Sequence, residues 1–313
     1  MNKLQLSSSE TTRETFKSLK NQRYVENYNL QSKKNLFNFE EYLKIGIPQQ
    51  ISNPNIDFFE WFIGFFEAEG SFCHWFDGKT HRFNIEINQK DPKLMYKIKK
   101  NLGFGNVIQF KQKNNIYWRY TTSSFNNIKR IILLFNGNLI TNYKNIKFYN
   151  FLKQFNLIYN ESIIILKPKV ILSLNSYWLS GFLEGDGDFV AMQRKIVNRK
   201  KLNTGLIIKF YVTQKKNEIT LLNQIKILFN ITTNIYTVHN GNKLQKYDRL
   251  ETCNLESLKY IKIYLQNYPF LGQRHILIKR WIRLIDYKIN DYPFTSKSNK
   301  KLLRLILSTK NYN

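Results

Sequence analysis

A short pattern of Trp, Gly, acid, Gly and Phe occurs twice in this chain, which restricts the fold to two copies of one unit packed together. The first copy reads Glu60-Trp-Phe-Ile-Gly-Phe-Phe-Glu-Ala-Glu-Gly-Ser-Phe72, the second Tyr177-Trp-Leu-Ser-Gly-Phe-Leu-Glu-Gly-Asp-Gly-Asp-Phe189. Trp61 and Trp178, Gly64 and Gly181, Glu69 and Asp186, and Phe72 and Phe189 are each 117 positions apart by subtraction. The order persists downstream: Gln89 precedes Gln214 by 125, and Tyr117-Trp-Arg119 and Lys144 precede Tyr247-Asp-Arg249 and Arg274 by 130. The growing interval gives the second copy a longer hairpin.

Alternating apolar residues around Phe83 and Ile208 read as strands, and the spacing in Leu94 to Leu102 and Leu221 to Phe229 reads as helix. Each unit then reads helix, two strands, helix, two strands, helix. The class is α+β: two pseudo-twofold αββαββα repeats with antiparallel sheets, over 58–159 and 176–292. Residues 160–175 form the linker, 1–57 a basic extension and 293–313 a basic tail.

Taken as helices starting near Phe59 and Tyr177, the two motifs place Gly64 and Ala68, and Gly181 and Gly185, one turn apart on one face. Small residues so spaced let helix backbones approach closely, so the two motif helices are expected to pack on each other. Gly70 and Gly187 read as left-handed caps that hand each helix to a strand. Glu69 and Asp186 fall at the negative ends of the two helix dipoles and close to each other, which disfavours ionisation unless a cation intervenes. A hard divalent cation, Mg2+ or Mn2+, meets both conditions, because Mg2+ takes one or two carboxylates and fills its other positions with water or phosphate oxygens.

Against 22 Asp and Glu stand 49 Lys and Arg, a formal charge of +27. Such a field calls for a polyanionic partner. The longest apolar runs fall far short of the roughly 20 residues of a membrane span, and no membrane partner is expected. Cys73 and Cys253 have neither zinc nor disulfide-framework spacing, and His74, His81, His239 and His275 form no HNH-like or HExxH cluster. The N-terminal residues carry Glu10 and Glu14 among basic ones and make a secretory signal a poor reading. The excess of Asn, Lys, Ile, Phe and Tyr suits AT-rich codons, hence an organellar, mitochondrial setting.

The segments Phe62 to Gly70 and Leu179 to Gly187 resemble the nine-residue motif of the LAGLIDADG homing endonucleases, and the resemblance covers about residues 58 to 292. It departs at Phe62 and Ile63, where the motif has smaller residues. It implies that the second acid of each motif, Glu69 and Asp186 rather than Glu67 and Glu184, binds metal. It also implies that Gln89 and Gln214 order the attacking water, and that Lys144 and Arg274, just before the last helix of each repeat, lie near the scissile phosphate. By parity both glutamines lie on the apolar side of their strands, and a bond to the backbone is the competing reading for each. Lys147 and Arg280 compete with Lys144 and Arg274.

On the opposite strand faces lie Arg82, Asn84, Glu86 and Asn88 in the first repeat and Lys209, Tyr211 and Thr213 in the second. Ser71, Arg119, Arg194 and Arg249 join them as candidate DNA contacts. Arg can pair with guanine, Asn with adenine and Glu with cytosine at major-groove edges, against the alternative of a merely solvated face. Because the two faces differ in residue type the expected target is asymmetric, and the internal repeat makes a monomer sufficient. The resemblance implies a site-specific double-strand endonuclease that leaves 3′ overhangs in intron homing. Two rivals are an RNA maturase acting on its own intron RNA and a catalytically silent DNA-binding protein.

Overall fold

The computed structural model describes residues 37–51, 53–198, 201–239, 246–292 and 296–310. A short helix α1 (Glu40–Ile45) precedes the first motif helix α2 (Ile56–Glu69), which begins three residues before the expected start because Asn55 caps it, accepting the Phe58 amide at 3.0 Å. Every residue from Phe58 to Glu67 is buried. A helix apolar on all sides must be enclosed on all sides. Its partner is the second motif helix α6 (Trp178–Asp186), buried from Trp178 to Glu184.

The two helices meet through their glycines. A Cβ on Gly64 would run into the Trp178 carbonyl, a Cβ on Gly181 into the Trp61 carbonyl, and one on Gly185 into Ala68. The helices therefore cross at backbone contact. Trp61 stacks on Phe65 and Trp178 on Phe182, one indole on each side of the crossing.

Each motif helix runs straight into a hairpin. In the first half β1 (Gly70–Phe76) and β2 (His81–Gln89) lead through α3 (Pro92–Leu102) to β3 (Asn106–Gln112) and β4 (Asn115–Thr122). In the second, β5 (Gly187–Asn198) and β6 (Lys201–Lys215) lead through α7 (Ile219–Leu228) to β7 (Tyr236–His239) and β8 (Lys246–Thr252). The sheets share one antiparallel order, β1-β2-β4-β3 and β5-β6-β8-β7. Phe83, Ile85 and Ile87, and likewise Ile208, Phe210 and Val212, point into the core, so their polar alternates line the opposite faces. Among the described residues no helix is long and apolar enough to cross a membrane.

Four sequence expectations change. Each half ends in two helices rather than one: α4 (Phe125–Phe135) and α5 (Asn142–Tyr159), then α8 (Leu255–Asn267) and α9 (Arg274–Ile289). Gly137 at φ +83 breaks the first helical run, and Pro269 disfavours a helical Tyr268 in the second. Gly70 and Gly187 are not left-handed caps; both are extended, at φ −80 and −84. They are glycine because a Cβ would meet the Phe66 ring in one case and the Leu183 carbonyl in the other. Most of the basic tail forms a helix, α10 (Ser296–Lys310), with Leu302 and Ile306 buried. The end of the N-terminal extension packs on the first half, burying Phe39 and Tyr42, while Asn38 and Asn138 exchange backbone and side-chain hydrogen bonds at 2.8 Å.

The linker is pinned rather than loose. Asn156 brackets Ile163, and Asn136 accepts the Leu166 amide while donating to the Ile164 carbonyl, so two side-chain amides stand in for a strand partner. The longer second hairpin is observed: β1 and β2 pair through Phe76 and His81, whereas β5 and β6 pair out to Asn198 and Lys201.

Candidate functional site

The two acids of each motif separate into different roles. Glu67 is fully buried and accepts the Thr141 amide and hydroxyl at 2.7 and 2.9 Å, the Ile140 amide at 2.9 Å, and the Trp178 indole of the other half at 2.6 Å. Glu184 accepts the Leu271 and Gly272 amides at 2.8 and 2.6 Å and the Trp61 indole at 3.0 Å. Each first acid thus ties the end of its own helix to the loop before its last helix and clasps the opposite tryptophan. Burial pushes both carboxyls up to about 7 while those N–H donors pull them back. Their oxygens are committed to the fold.

The second acids face each other. Glu69 lies against Gly185 of the opposite helix. Burial raises its pKa, with Gln89 donating to it and Arg274 and Lys144 lowering it. Asp186 is pushed up to about 7, first by burial and then by the Glu69 charge, against the opposing effects of Gln214, Lys144 and Arg274. Gln214 Nε2 donates to Asp186 Oδ2 at 2.7 Å. The partner that a core-side glutamine requires is the carboxylate, in both halves.

Lys144 and Arg274 lie in the first turn of α5 and α9, slightly later than the sequence suggested. Each spends its charge on the carbonyl end of its motif helix. Lys144 Nζ donates to the Gly70 carbonyl, and Arg274 donates to the carbonyls of Glu184, Gly185 and Gly187. A cation there satisfies carbonyls that a helix leaves unpaired and offsets its negative pole. Desolvation lowers the pKa of both, the nearby acids opposing it. Arg274 Nε is buried with no hydrogen-bond partner among the described residues. Of the rivals, Lys147 lies 5.7 Å from the Tyr143 ring, while Arg280 donates to the Ser308 carbonyl and belongs to the α9–α10 contact.

Among the described residues no cluster of three or more His, Cys, Asp or Glu could hold a metal. Glu69 and Asp186 share the cleft with Glu67 and Glu218, whose oxygens are taken by backbone amides, and two such carboxylates suit a hard cation that keeps most of its own water rather than a closed zinc site. The cleft is lined by Glu69, Ser71, Tyr143, Lys144, Asp186, Gln214 and Lys215. Sequence reasoning missed Tyr143 and Lys215. Lys215 directly follows Gln214 and could have been found from that adjacency.

The polar sheet faces are networks. Arg119 bonds Asn88 at 2.8 Å and Glu86 at 3.1 Å while stacking over Phe110 at 4.9 Å. Its counterpart Arg249 bonds Thr213 at 2.9 Å and stacks over Tyr211 at 4.5 Å. Thr121 donates to Asn84 at 2.6 Å, and Lys209 pairs with Glu251 at 3.0 Å. Arg82 is turned aside to Asp77 at the hairpin end. Ser71 pairs in register with Glu86 at the root of the first hairpin. The Arg194 side chain lies outside the described residues. Thr121, Glu251 and Asp188 complete these faces and were not anticipated; Asp188 stands where the first half has Ser71 and feels Arg274 and Arg249.

The family model for LAGLIDADG endonucleases matches residues 62–155 and 179–285. "Probable intron-encoded endonuclease 4" of Neurospora crassa is 29% identical over 236 residues, covering 74% of this chain. The match spans 41% of that relative's length. "Probable intron-encoded endonuclease Cox1-I1b" of Schizosaccharomyces pombe is 24% identical over 282 residues, 81% of this chain and 71% of its own. Among solved structures, the LAGLIDADG meganuclease I-CpaMI bound to uncleaved DNA superposes with a TM-score of 0.66 at 18% identity, covering 80% of this chain and 98% of that one. The I-LtrWI homing endonuclease bound to target DNA gives 0.65 at 19% identity, covering 80% and 97%. These structures share the fold of two repeated halves.

Proposed function

The chain belongs to the LAGLIDADG endonuclease family, and on that premise we propose that it is a site-specific double-strand DNA endonuclease that hydrolyses one phosphodiester per strand. The observation that carries the proposal is the pair Glu69 and Asp186, adjacent at the ends of two helices in backbone contact, each holding a glutamine in a cleft that Lys144 and Lys215 also line. Two carboxylates whose ionisation is disfavoured in isolation form a site that gains most from a cation. Divalent metal, Mg2+ or Mn2+, would be held by Glu69 and Asp186 and would supply charge neutralisation at the scissile phosphate and a water of lowered pKa.

The chain's own groups then have defined parts. Gln89 and Gln214 fix the orientation of the two carboxylates and present their remaining amide atoms to water. Lys144 and Arg274 hold positive charge within electrostatic reach of both acids, which favours the extra negative charge of the transition state. The faces of β2–β4 and β6–β8 carry Arg119 and Arg249 braced by aromatic rings, suited to bidentate readout of guanine. Because Asn84, Glu86 and Asn88 face Lys209, Tyr211 and Thr213 across the pseudo-twofold, the target is asymmetric. Duplex contact through so basic a chain gives affinity that falls steeply with salt.

The test is to incubate a randomised duplex library with the protein in Mg2+ and sequence the products. A discrete asymmetric cut with 3′ overhangs is the expected outcome. Duplex left intact, with intron RNA bound more tightly than DNA at matched salt, would transfer the assignment to a maturase.

A further inference from the structure

The cleft over Asp186 carries a group of residues that the pseudo-twofold does not repeat. Tyr143, in the first turn of α5, is held by the other half: its amide donates to Glu218 Oε1 at 2.6 Å, and the Asn142 amide to Oε2 at 3.1 Å. Glu218 is buried, so this junction is fixed. The Tyr143 ring stays 41% exposed, and Lys215 Nζ sits over it at 3.9 Å. The Lys144 and Lys147 ammonium groups lie 5.9 and 5.7 Å from the same ring. Lys144 is turned inward to the Gly70 carbonyl and to Glu67, Asp186 and Glu69, which leaves Lys215 and Lys147 as the ammoniums at the exposed ring. Two ammoniums held at an exposed ring offer charge-assisted donors to a phosphate oxygen.

The corresponding place in the other half is built differently. The offset of 130 that relates Lys144 to Arg274 turns Tyr143 into Gln273 and Lys147 into Leu277, which is buried. The backbone clamp is kept, because Asp91 accepts the Gln273 amide at 2.8 Å as Glu218 accepts that of Tyr143. The ring and the third cation are not. Lys90, which matches Lys215, lies 6.0 Å from Tyr117.

We propose that Tyr143 and Lys215 form a phosphate anchor serving one strand of the duplex only, so that the two strands are held unequally and the strand over Asp186 is cut first. Lys215 would contact a non-bridging oxygen of that strand's central phosphodiester, with the Tyr143 ring fixing the direction of its side chain. Both act as positioning residues for the reaction proposed above, and the inference rests on that reading.

The test uses the full chain bound in Ca2+ to a duplex recovered by binding selection, with phosphate ethylation interference read on both strands. In wild type, ethylation of the central phosphate on one strand should weaken binding on the order of tenfold more than on the other, the scale of one charge-assisted hydrogen bond. Lys215→Met and Tyr143→Gln should abolish that difference and leave the other strand's pattern unchanged, while Lys90→Met should not. Equal sensitivity of the two strands in wild type, or an unchanged pattern in Lys215→Met, overturns the anchor. Thermal midpoints of the variants separate loss of the anchor from loss of fold. In Mg2+ the wild type should pass through a nicked intermediate that Tyr143→Gln no longer accumulates. An intact interference pattern with no Mg2+-dependent product would instead count against the endonuclease reading.

Discussion

Glu184 and Asp186 stand two residues apart on one helix, yet the first faces the Trp61 indole and two loop amides while the second faces Glu69 and Gln214. Replacing Glu184 with Gln sets an amide against three N–H donors and should cost about 3 kcal/mol of stability. Urea unfolding should register that loss, with metal binding unchanged. Glu69→Gln should show the reverse, metal affinity lost and stability retained. The pKa of Asp186 adds a pH dependence. Its folded value of about 7 lies above its unfolded one, so the metal-free fold gains stability from it that is fully present at low pH. That contribution is lost as pH rises through 7. Metal requires the ionised form, so its affinity should fall roughly tenfold per unit below pH 7, read by calorimetry between pH 5.5 and 8. The repeat located all four acids and the resemblance set Glu69 and Asp186 apart, but what Glu67 and Glu184 do instead rests on contacts across the helix crossing, 123 positions apart for Trp61 and Glu184, which no local pattern contains.

The motif helices were legible as elements because small residues one turn apart have little other use on an otherwise apolar helix. Gly64→Ala should therefore be costly despite the higher helix propensity of alanine, since the added Cβ meets the Trp178 carbonyl. A loss of more than about 2 kcal/mol is expected, in the range of overpacked cores. The glycines that end these helices were misread for a physical reason. Both glycines stay extended with their amides bonded to the Phe66 and Leu183 carbonyls, and in the second half Arg274 takes the last-turn carbonyls of Glu184 and Gly185, so the chain enters the strand directly. Helix α10 was missed because its stripe, Leu302, Ile306 and Thr309, is interrupted by Lys and Arg on its outer side. It packs on β5, where Gln193 bonds Asn299 at 2.9 Å, and so supports the longer hairpin from behind. A two-stranded ribbon is marginal without such support. Leu302→Ala with Ile306→Ala should raise amide exchange in β5 and β6 while leaving β1 and β2 protected.

At the scale of the whole molecule, two halves of one design have diverged at the residues that meet DNA in the proposed function. The shared parts are the helix crossing, both sheets, the indole clasps and the carboxylate–glutamine pairs. The differing parts are hairpin length, Ser71 against Asp188, and Tyr143 against Gln273. Sequence offsets of 117, 125 and 130 already located the hairpin insertion, while the consequences of the side-chain differences emerged only once the halves were docked. A chain of net charge +27 carries Glu69 and Asp186 together in one cleft, and the proposed reaction depends on their chemistry. The decisive measurement is cleavage of the selected duplex in Mg2+ by wild type, Glu69→Gln and Asp186→Asn, with binding measured in parallel in Ca2+. Both variants should bind the duplex, and each should lose at least about a hundredfold in cleavage rate. Cleavage at the wild-type rate by either variant would contradict the proposed reaction.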